Sequence, residues 1–586
     1  MISLAPDPDL IRVGNCSGFY GDRISAMREM LDGGDVDVLT GDYLAELTML
    51  ILGRDRMKHP ELGYAKTFVR QLEDCLGLAL DKGVRIVANA GGLNPAGLAA
   101  RLRELTQELG LTATVAHVEG DDLAPRAAEL GLGEPLTANA YLGSWGIVEA
   151  LGSGADVVVT GRVTDASVIV GPAAAHFGWG RTDYDAIAGA VVAGHVIECG
   201  TQATGGNFAF FREIADMSRP GFPLAEIRRD GSSVITKHPD TAGAVTVDTV
   251  TAQLMYEIQT ARYANPDATA RLDTVALAQD GPDRVSITGV HGEPPPPDLK
   301  VSLNSLGGFR NEMTFVLTGL DIEAKAELSR RQLESWLPVR PAELTWDLAR
   351  VDRPDAPTQQ QASALLTCAV RDRDPDTVGR AFSNVAVELA LAGYPGATLT
   401  SMPGKAAPYG VFTAGYVDRH KVPHVAVLPD GTRVDIPPAD ETRGLEPVRD
   451  PGPPEAESGD DGDPGPTRNL PLGAVAAARS GDKGGNANIG VWVRTDAQWR
   501  WLARALTIDE LRRMLPETAG LPITRTVLPN LRAVNFVIEG ILGQGVAYNA
   551  RFDPQAKGLA EWLRSRRIDM PASVAATGID VEESAL

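Results

Sequence analysis

The stretch VRIVANAGGLNPAGLAARLRELTQELG, residues 84–110, decides the fold. A short, continuously apolar run ends in a polar Gly-Gly turn. Asn94 then stands where a helix N-cap is wanted, and Pro95 fits the first helical position. The following residues repeat apolar side chains at helical spacing. The same strand–loop–helix layout recurs on either side. IRVGNCSGFYGDR (11–23) leads into a helix near 22–33, and VDVLTGDY (36–43) into helical stretches through about 57 and across 63–82. TATVAHVEG (112–120) and ADVVVTG (155–161) supply two more strands, each followed by helical sequence. Apolar strands alternating with helices predict an α/β, doubly wound, mostly parallel sheet covered on both faces.

At 586 residues the chain is too long for one core, so two to four structural units are expected. The large domain is expected over 1–440, with the parallel core at about 8–210 and an α+β extension at 211–440. In that extension AVTVDTVTAQLMYEI and RVSITGV alternate like strands with one wet face, HGEPPPPDL (291–299) reads as a rigid turn, and a helix is expected near 378–392. Residues 441–468 are rich in Pro, Gly and acid, and predict a disordered linker. Beyond it, 469–575 reads as a small α+β domain.

The net charge of −22 argues against nucleic acid and anionic membranes as partners, while leaving room for a small anionic substrate in a locally basic cleft. Four cysteines without a C-x-x-C pair fit a reducing cytoplasm. The start, MISLAPDPDL, lacks a signal-peptide pattern, and no apolar run is long enough for a membrane span. A soluble cytoplasmic homo-oligomer is expected.

In an open parallel sheet the ligand crevice lies at the carboxyl ends of the strands. The loops there carry Asn15, Cys16, Ser17, Gly18 and Asp22, then Thr40 and Asp42, then Asn89, Gly91, Gly92 and Asn94, and finally Thr160, Arg162, Thr164 and Asp165. A dinucleotide fingerprint is not among them. Gly14, Gly18 and Gly21 are spaced wrongly for G-x-G-x-x-G, and no Walker sequence occurs. In TGRVTDAS (160–167), Arg162 can grip a carboxylate or phosphate, with Asp165 either paired to it or acting as acid or base. ECGTQATGGNF (198–208) gathers Cys199, Gly205, Gly206 and Asn207; Cys199 would be a nucleophile only with a lowered pKa and a base such as His195. No dedicated metal motif appears, but Asp22, Asp42 and Asp165 together would suit Mg2+.

RSGDKGGNANIGV (479–491) is the sharpest isolated motif. Ser480, Asp482, Lys483 and Asn486 surround a glycine-rich turn, a setting that suits an oxyanion, or else a plain hairpin with a solvated Lys.

GNCSGFYGDR, LTGDYLAELTM, ANAGGLNP, VTGRVTDAS, ECGTQATGGNF, YEIQTARYANPD (256–267) and SLGGFRNEM (305–313) resemble, in order, the large domain of the acyclic terpene utilization (AtuA) family. RSGDKGGNANIGV resembles that family's ferredoxin-like C-terminal domain. The resemblance implies bacterial catabolism of acyclic terpenoids through branched acyl-CoA intermediates. It carries over no catalytic residue.

The expectation is an enzyme acting on a branched acid or acyl-CoA, of lyase or hydro-lyase type, without a redox cofactor. The CoA moiety would belong to the substrate. Asp22, Asp165 and Cys199 are the catalytic candidates, and the remaining loop residues bind substrate. The alternative is a non-catalytic binding or assembly subunit of an acyl-CoA-processing complex.

Overall fold

A computed structural model describes residues 8–445 and 466–578. Most of the segment expected to be a disordered linker, 446–465, therefore lies outside the described residues. The chain divides into two compact units. One comprises the described residues of Met1–Asn304, Phe412–Val546 and Asp553–Leu586; the other comprises Ser305–Val411 and Ala547–Phe552.

The first unit is built on strands β1 (Leu10–Asn15), β2 (Val38–Gly41), β3 (Arg85–Ala88) and β4 (Val115–Glu119), with β5 (Thr137–Ala140) set apart and β6 (Val157–Thr160) returning to the sheet. The parallel part runs β1-β2-β3-β6-β4. Because neighbouring strand residues point to opposite faces, each strand feeds two cores. Leu39, Ile86 and Val157 pack under helices α1 (Ala26–Gly33), α3 (Lys66–Lys82) and α4 (Pro95–Glu108). Val38, Val87 and Val158 pack under α5 (Trp145–Gly152), α6 (Ser167–Phe177) and α7 (Tyr184–Ile197). The remaining helix of this half, α2 (Glu46–Lys58), leads into α3. The sheet is doubly wound, as the alternation of apolar strands and helices predicts.

Antiparallel strands extend both edges to eleven. β7 (Pro223–Arg228) pairs with β1, and β8 (Ser233–Lys237) with β7; on the far side Val425–Val427 pairs with β4. The strand reading of AVTVDTVTAQLMYEI is corrected, since Val247–Leu254 forms helix α8. Thr246 accepts the Thr249 N–H at 3.1 Å while the Thr249 hydroxyl accepts the Thr246 N–H at 3.0 Å. This reciprocal cap outweighs the β preference of the Val and Thr residues behind it. β5, which no sequence pattern flagged, pairs antiparallel with Val301–Asn304.

Also within the first unit, residues 477–538 form a four-stranded antiparallel sheet in the order Ala477–Lys483, Asn486–Trp492, Ala533–Ile538, Ile523–Leu528. Its own core includes Ile489, Val491, Trp499, Leu502 and Phe536. The second unit pairs Phe309–Thr318 with Ser363–Asp372 and packs that sheet on helices Ile322–Trp336 and Arg380–Glu388, around Leu317, Leu333, Leu366 and Phe382. No helix among the described residues is long and apolar enough to cross a membrane.

Candidate functional site

β1, β2, β3 and β6 end on one rim of the parallel sheet, and their loops interlock there through short polar side chains. Asn15 is fully buried; its amide donates to the Glu198 carbonyl at 3.2 Å and its Oδ1 accepts the Ser17 N–H at 2.9 Å. Asn89 at the end of β3 donates to Asp42 Oδ1 at 2.6 Å and accepts the Tyr43 N–H at 2.8 Å. Burial pushes the Asp42 carboxyl well above the ordinary range, and the neighbouring Asp165 charge adds to this against the opposing pull of Arg162. Arg162 is itself buried. Its Nη1 donates to Asp165 Oδ1 at 2.7 Å and to the Leu44 carbonyl at 3.1 Å, and its guanidinium stacks on the Tyr141 ring at 4.3 Å.

Helix α7 brings in two groups from the other side. His195 Nδ1 lies 3.2 Å from Glu198 Oε1, and the imidazole stacks at 4.5 Å on Tyr263. Burial raises the Glu198 carboxyl well above its ordinary value, the charges of Asp165 and Glu257 raise it further, and Lys483 and Arg162 oppose them. Glu198 Oε2 has no hydrogen-bond partner among the described residues. Burial, then the Lys483 charge, lowers His195 to about 4. The pair is therefore a carboxyl biased toward its protonated form beside an imidazole biased toward its neutral form.

The C-terminal sheet completes the site. Its strand Ala477–Lys483 alternates: Arg479, Gly481 and Lys483 turn toward residues 195–257, while Ser480 turns into its own domain. Arg479 stacks on the Tyr256 ring at 4.4 Å, donates to the Asn207 carbonyl at 3.3 Å and also bonds Gln202 Oε1. Asn488 donates to the Met255 carbonyl at 2.8 Å and accepts the Glu257 N–H at 2.9 Å. A Cβ on Gly490 would stand 2.5 Å from Met255 Cβ, so glycine is needed where the sheet presses onto this loop. Gly484 and Gly485 form a two-residue hairpin turn, so the hairpin alternative for this motif is correct. Lys483 at its end is half-buried, however, and its charge acts on His195 and Glu198.

The structure thus brings Asn15, Asp42, Asn89, Arg162, Asp165, His195 and Lys483 together, and adds Glu198, Glu257 and Tyr263. Several expectations need correction. Cys199 is not an activated nucleophile: burial raises its thiol, and the charges of Glu198, Glu257, Asp42 and Asp165 raise it further. Asp22 is committed to its own loop, accepting the N–H groups of Gly18 at 2.9 Å and Arg23 at 2.8 Å. Asp22, Asp42 and Asp165 therefore do not form a joint oxygen site. Among the described residues no group of three or more His, Cys, Asp or Glu side chains is placed to hold a metal ion.

The Ser17 and Gly18 N–H groups are already bonded, which removes them as oxyanion donors. Gly18 is instead a close approach, since a Cβ there would stand 2.7 Å from the Cys199 backbone. A Cβ on Gly91 would meet the Thr160 carbonyl at 2.5 Å, and the Gly92 N–H bonds the Asn89 carbonyl at 3.2 Å; both are packing positions. Asn94 caps α4 through the Gly97 N–H at 2.9 Å. The Thr164 hydroxyl bonds Ser167 at 2.6 Å. Gly205 and Gly206 donate to the Gln202 and Thr201 carbonyls, and together with Asn207 they shape the seat of Arg479. Ser480 bonds the Ala556 carbonyl at 2.6 Å, Asp482 is buried one position out of phase with Lys483, and Asn486 holds the Gly540 N–H at 2.9 Å.

A family model described as "Acyclic terpene utilisation family protein AtuA" matches residues 11–428, more than half of the chain. The chain belongs to the AtuA family. A second model, the AtuA ferredoxin-like domain, matches residues 470–569, the segment that carries Arg479, Lys483 and Asn488 onto the rim. No curated protein and no solved structure matches. The AtuA match spans every strand-end loop of the site.

Behind this AtuA rim, Asp121 fixes the β6 loop by accepting the Arg162 N–H and the Asn139 amide, each at 2.8 Å. Burial is the main cause that lifts its carboxyl to about 7. A carboxyl so raised keeps its proton in the folded chain where the unfolded chain has lost it, so stability falls as pH rises from about 4 to 7. Asp121→Asn is expected to remove that slope. Its stability relative to the unsubstituted chain, followed through Tm, is expected to climb across the window by at most ~4 kcal/mol. Parallel Tm–pH curves for the two proteins would show that Asp121 does not hold this proton.

Proposed function

We propose that this AtuA-family protein is a lyase or hydro-lyase acting on a branched-chain acid or its CoA thioester. The observation that carries the reading is the Glu198 carboxyl. It is buried and shifted toward its protonated form, with Oε2 unbonded among the described residues, in a site on which the Lys483 charge acts. A carboxyl whose hold on its proton is raised in this way is suited to general acid work.

Lys483 contacts the substrate's carboxylate or thioester oxygen. Arg162 adds positive charge behind it and holds Asp165 at 2.7 Å. In the dehydration direction, Asp165 takes the proton from the carbon next to the carbonyl and Glu198 gives its proton to the departing hydroxyl. The C–H and C–O bonds break, the carbon–carbon double bond forms, and water leaves. His195, neutral and 3.2 Å from Glu198, orients the acid. No electron is transferred overall, in keeping with a reaction that needs no redox cofactor.

The experiment is a thermal-shift and turnover screen of branched 3-hydroxy and 2-enoyl acids and their CoA thioesters. For the compound that is turned over, Lys483→Ala is expected to raise KM at least tenfold while leaving Tm within about 2 °C, since its side chain lies at a half-buried hairpin end. An unchanged KM would remove Lys483 from the substrate contact. If the isolated chain binds these compounds and turns none over, the assembly-subunit alternative replaces the enzyme reading.

A further inference from the structure

A cleft unrelated to the proposed reaction lies between the start of α5 and the segments 419–424 and 436–439. About 50 Å³ of it is open to a water-sized molecule, and its mouth faces solvent. Two guanidinium groups line it. Arg419 is 5% exposed, and its terminal nitrogens bond only carbonyls, those of Pro266 at 3.2 Å and of Pro296, while its Nε has no partner among the described residues. Arg181 lies over the Trp145 ring at 5.0 Å and donates to the Pro437 carbonyl at 2.7 Å.

Neither cation has a carboxylate within ion-pair distance among the described residues. Burial lowers the pKa of both, against the opposing charges of Asp267 and Asp440 on Arg181 and of Asp267, Asp298 and Asp418 on Arg419. The acid in the wall, Asp267, is occupied by the Ser144 N–H at 2.7 Å, and burial raises its carboxyl. His424, also in the wall, is held neutral, lowered to about 3 by burial and then by Arg181. The cleft thus holds two guanidiniums that bond carbonyls rather than carboxylates. Its other walls are apolar, chiefly Leu142, Leu299, Val422 and Ile436. Two under-paired guanidiniums call for an oxyanion, and the apolar walls call for a hydrocarbon stem beside it.

We propose that this cleft is a second binding site, for the carboxylate of a small apolar acid, with Arg181 and Arg419 on the head group. The test is calorimetric titration of the full chain with octanoate and, separately, with inorganic phosphate. Octanoate is expected to bind one saturable site that Arg181→Leu weakens at least tenfold. Ala439→Trp, at the rim, is expected to block the same site without removing a charge, and it decides the matter if Arg181→Leu folds poorly. Lys483→Ala is expected to leave this binding unchanged, which separates it from the strand-end site, and phosphate is expected to bind at least tenfold more weakly. The proposal is overturned by absence of saturable octanoate binding, by binding that survives both cleft variants or is lost in Lys483→Ala, or by phosphate binding as tightly as octanoate.

Discussion

Replacing Arg162 with Ala is expected to lower stability by about 3–5 kcal/mol, the range for removing one partner of a buried ion pair. The guanidinium is 4% exposed and serves three groups at once: the Asp165 carboxylate, the Leu44 carbonyl and the Tyr141 ring. Its loss also takes away the positive charge that opposes the upward shift of Asp42. Asp42 would then hold its proton to still higher pH, so the penalty is expected to grow as pH rises through the neutral range and to shrink in acid. Thermal melts from pH 5 to 8 check both magnitude and slope. Arg162→Lys keeps the charge but loses the planar stacking, and is expected to fall between the two. A melting temperature for Arg162→Ala within about 1 °C of the unsubstituted chain would mean that the rim is not organised by this residue.

Glu198→Gln separates chemistry from stability in the opposite way. Glutamine matches the shape of a protonated carboxyl, which is the form that burial and the charges of Asp165 and Glu257 impose on Glu198. The substitution is expected to leave Tm unchanged near pH 4, at the foot of the ordinary glutamate range. Above that, the natural carboxyl costs stability, because the unfolded chain releases a proton that the folded chain retains, so the Gln variant is expected to become the more stable of the two toward pH 8. Turnover is expected to fall by about 100- to 10,000-fold, the usual weight of general acid catalysis. Loss of stability together with activity would instead mark Glu198 as a structural acid, needed for its bond to His195.

Much of this arrangement is local enough to read in the chain. The run from 84 to 110 contains a strand, a turn and a capped helix within 27 residues, and Arg162 lies three residues from the acid it pairs with. Lys483 stands out because three glycines surround it. Glu198 and Glu257 do not stand out, because each sits among ordinary neighbours and gains its character only when α7, the loop after α8 and the C-terminal strand converge. The one local hint is that Glu198 directly precedes Cys199 in a loop already marked by its composition; the thiol drew attention that belonged to the acid. The misread helix at Val247–Leu254 has the same origin. A two-residue cap decided what four β-branched side chains, Val247, Thr249, Val250 and Thr251, argued against. Asp22 and Asn94 were legible as polar loop residues, but not as residues whose oxygens are spent on backbone N–H groups one to four residues away.

The most direct measurement follows oxygen exchange. The full chain is incubated with branched 2-enoyl and 3-hydroxy acids and their CoA thioesters in water enriched in oxygen-18, and the products are weighed by mass spectrometry. The unsubstituted protein is expected to place one heavy oxygen, a gain of about two mass units, into at least one of these compounds, and Glu198→Gln to abolish that gain while melting no lower than the unsubstituted chain. A protein that binds the compounds yet never introduces solvent oxygen, or a Glu198→Gln variant that exchanges as fast as the natural chain, would contradict a lyase centred on Glu198.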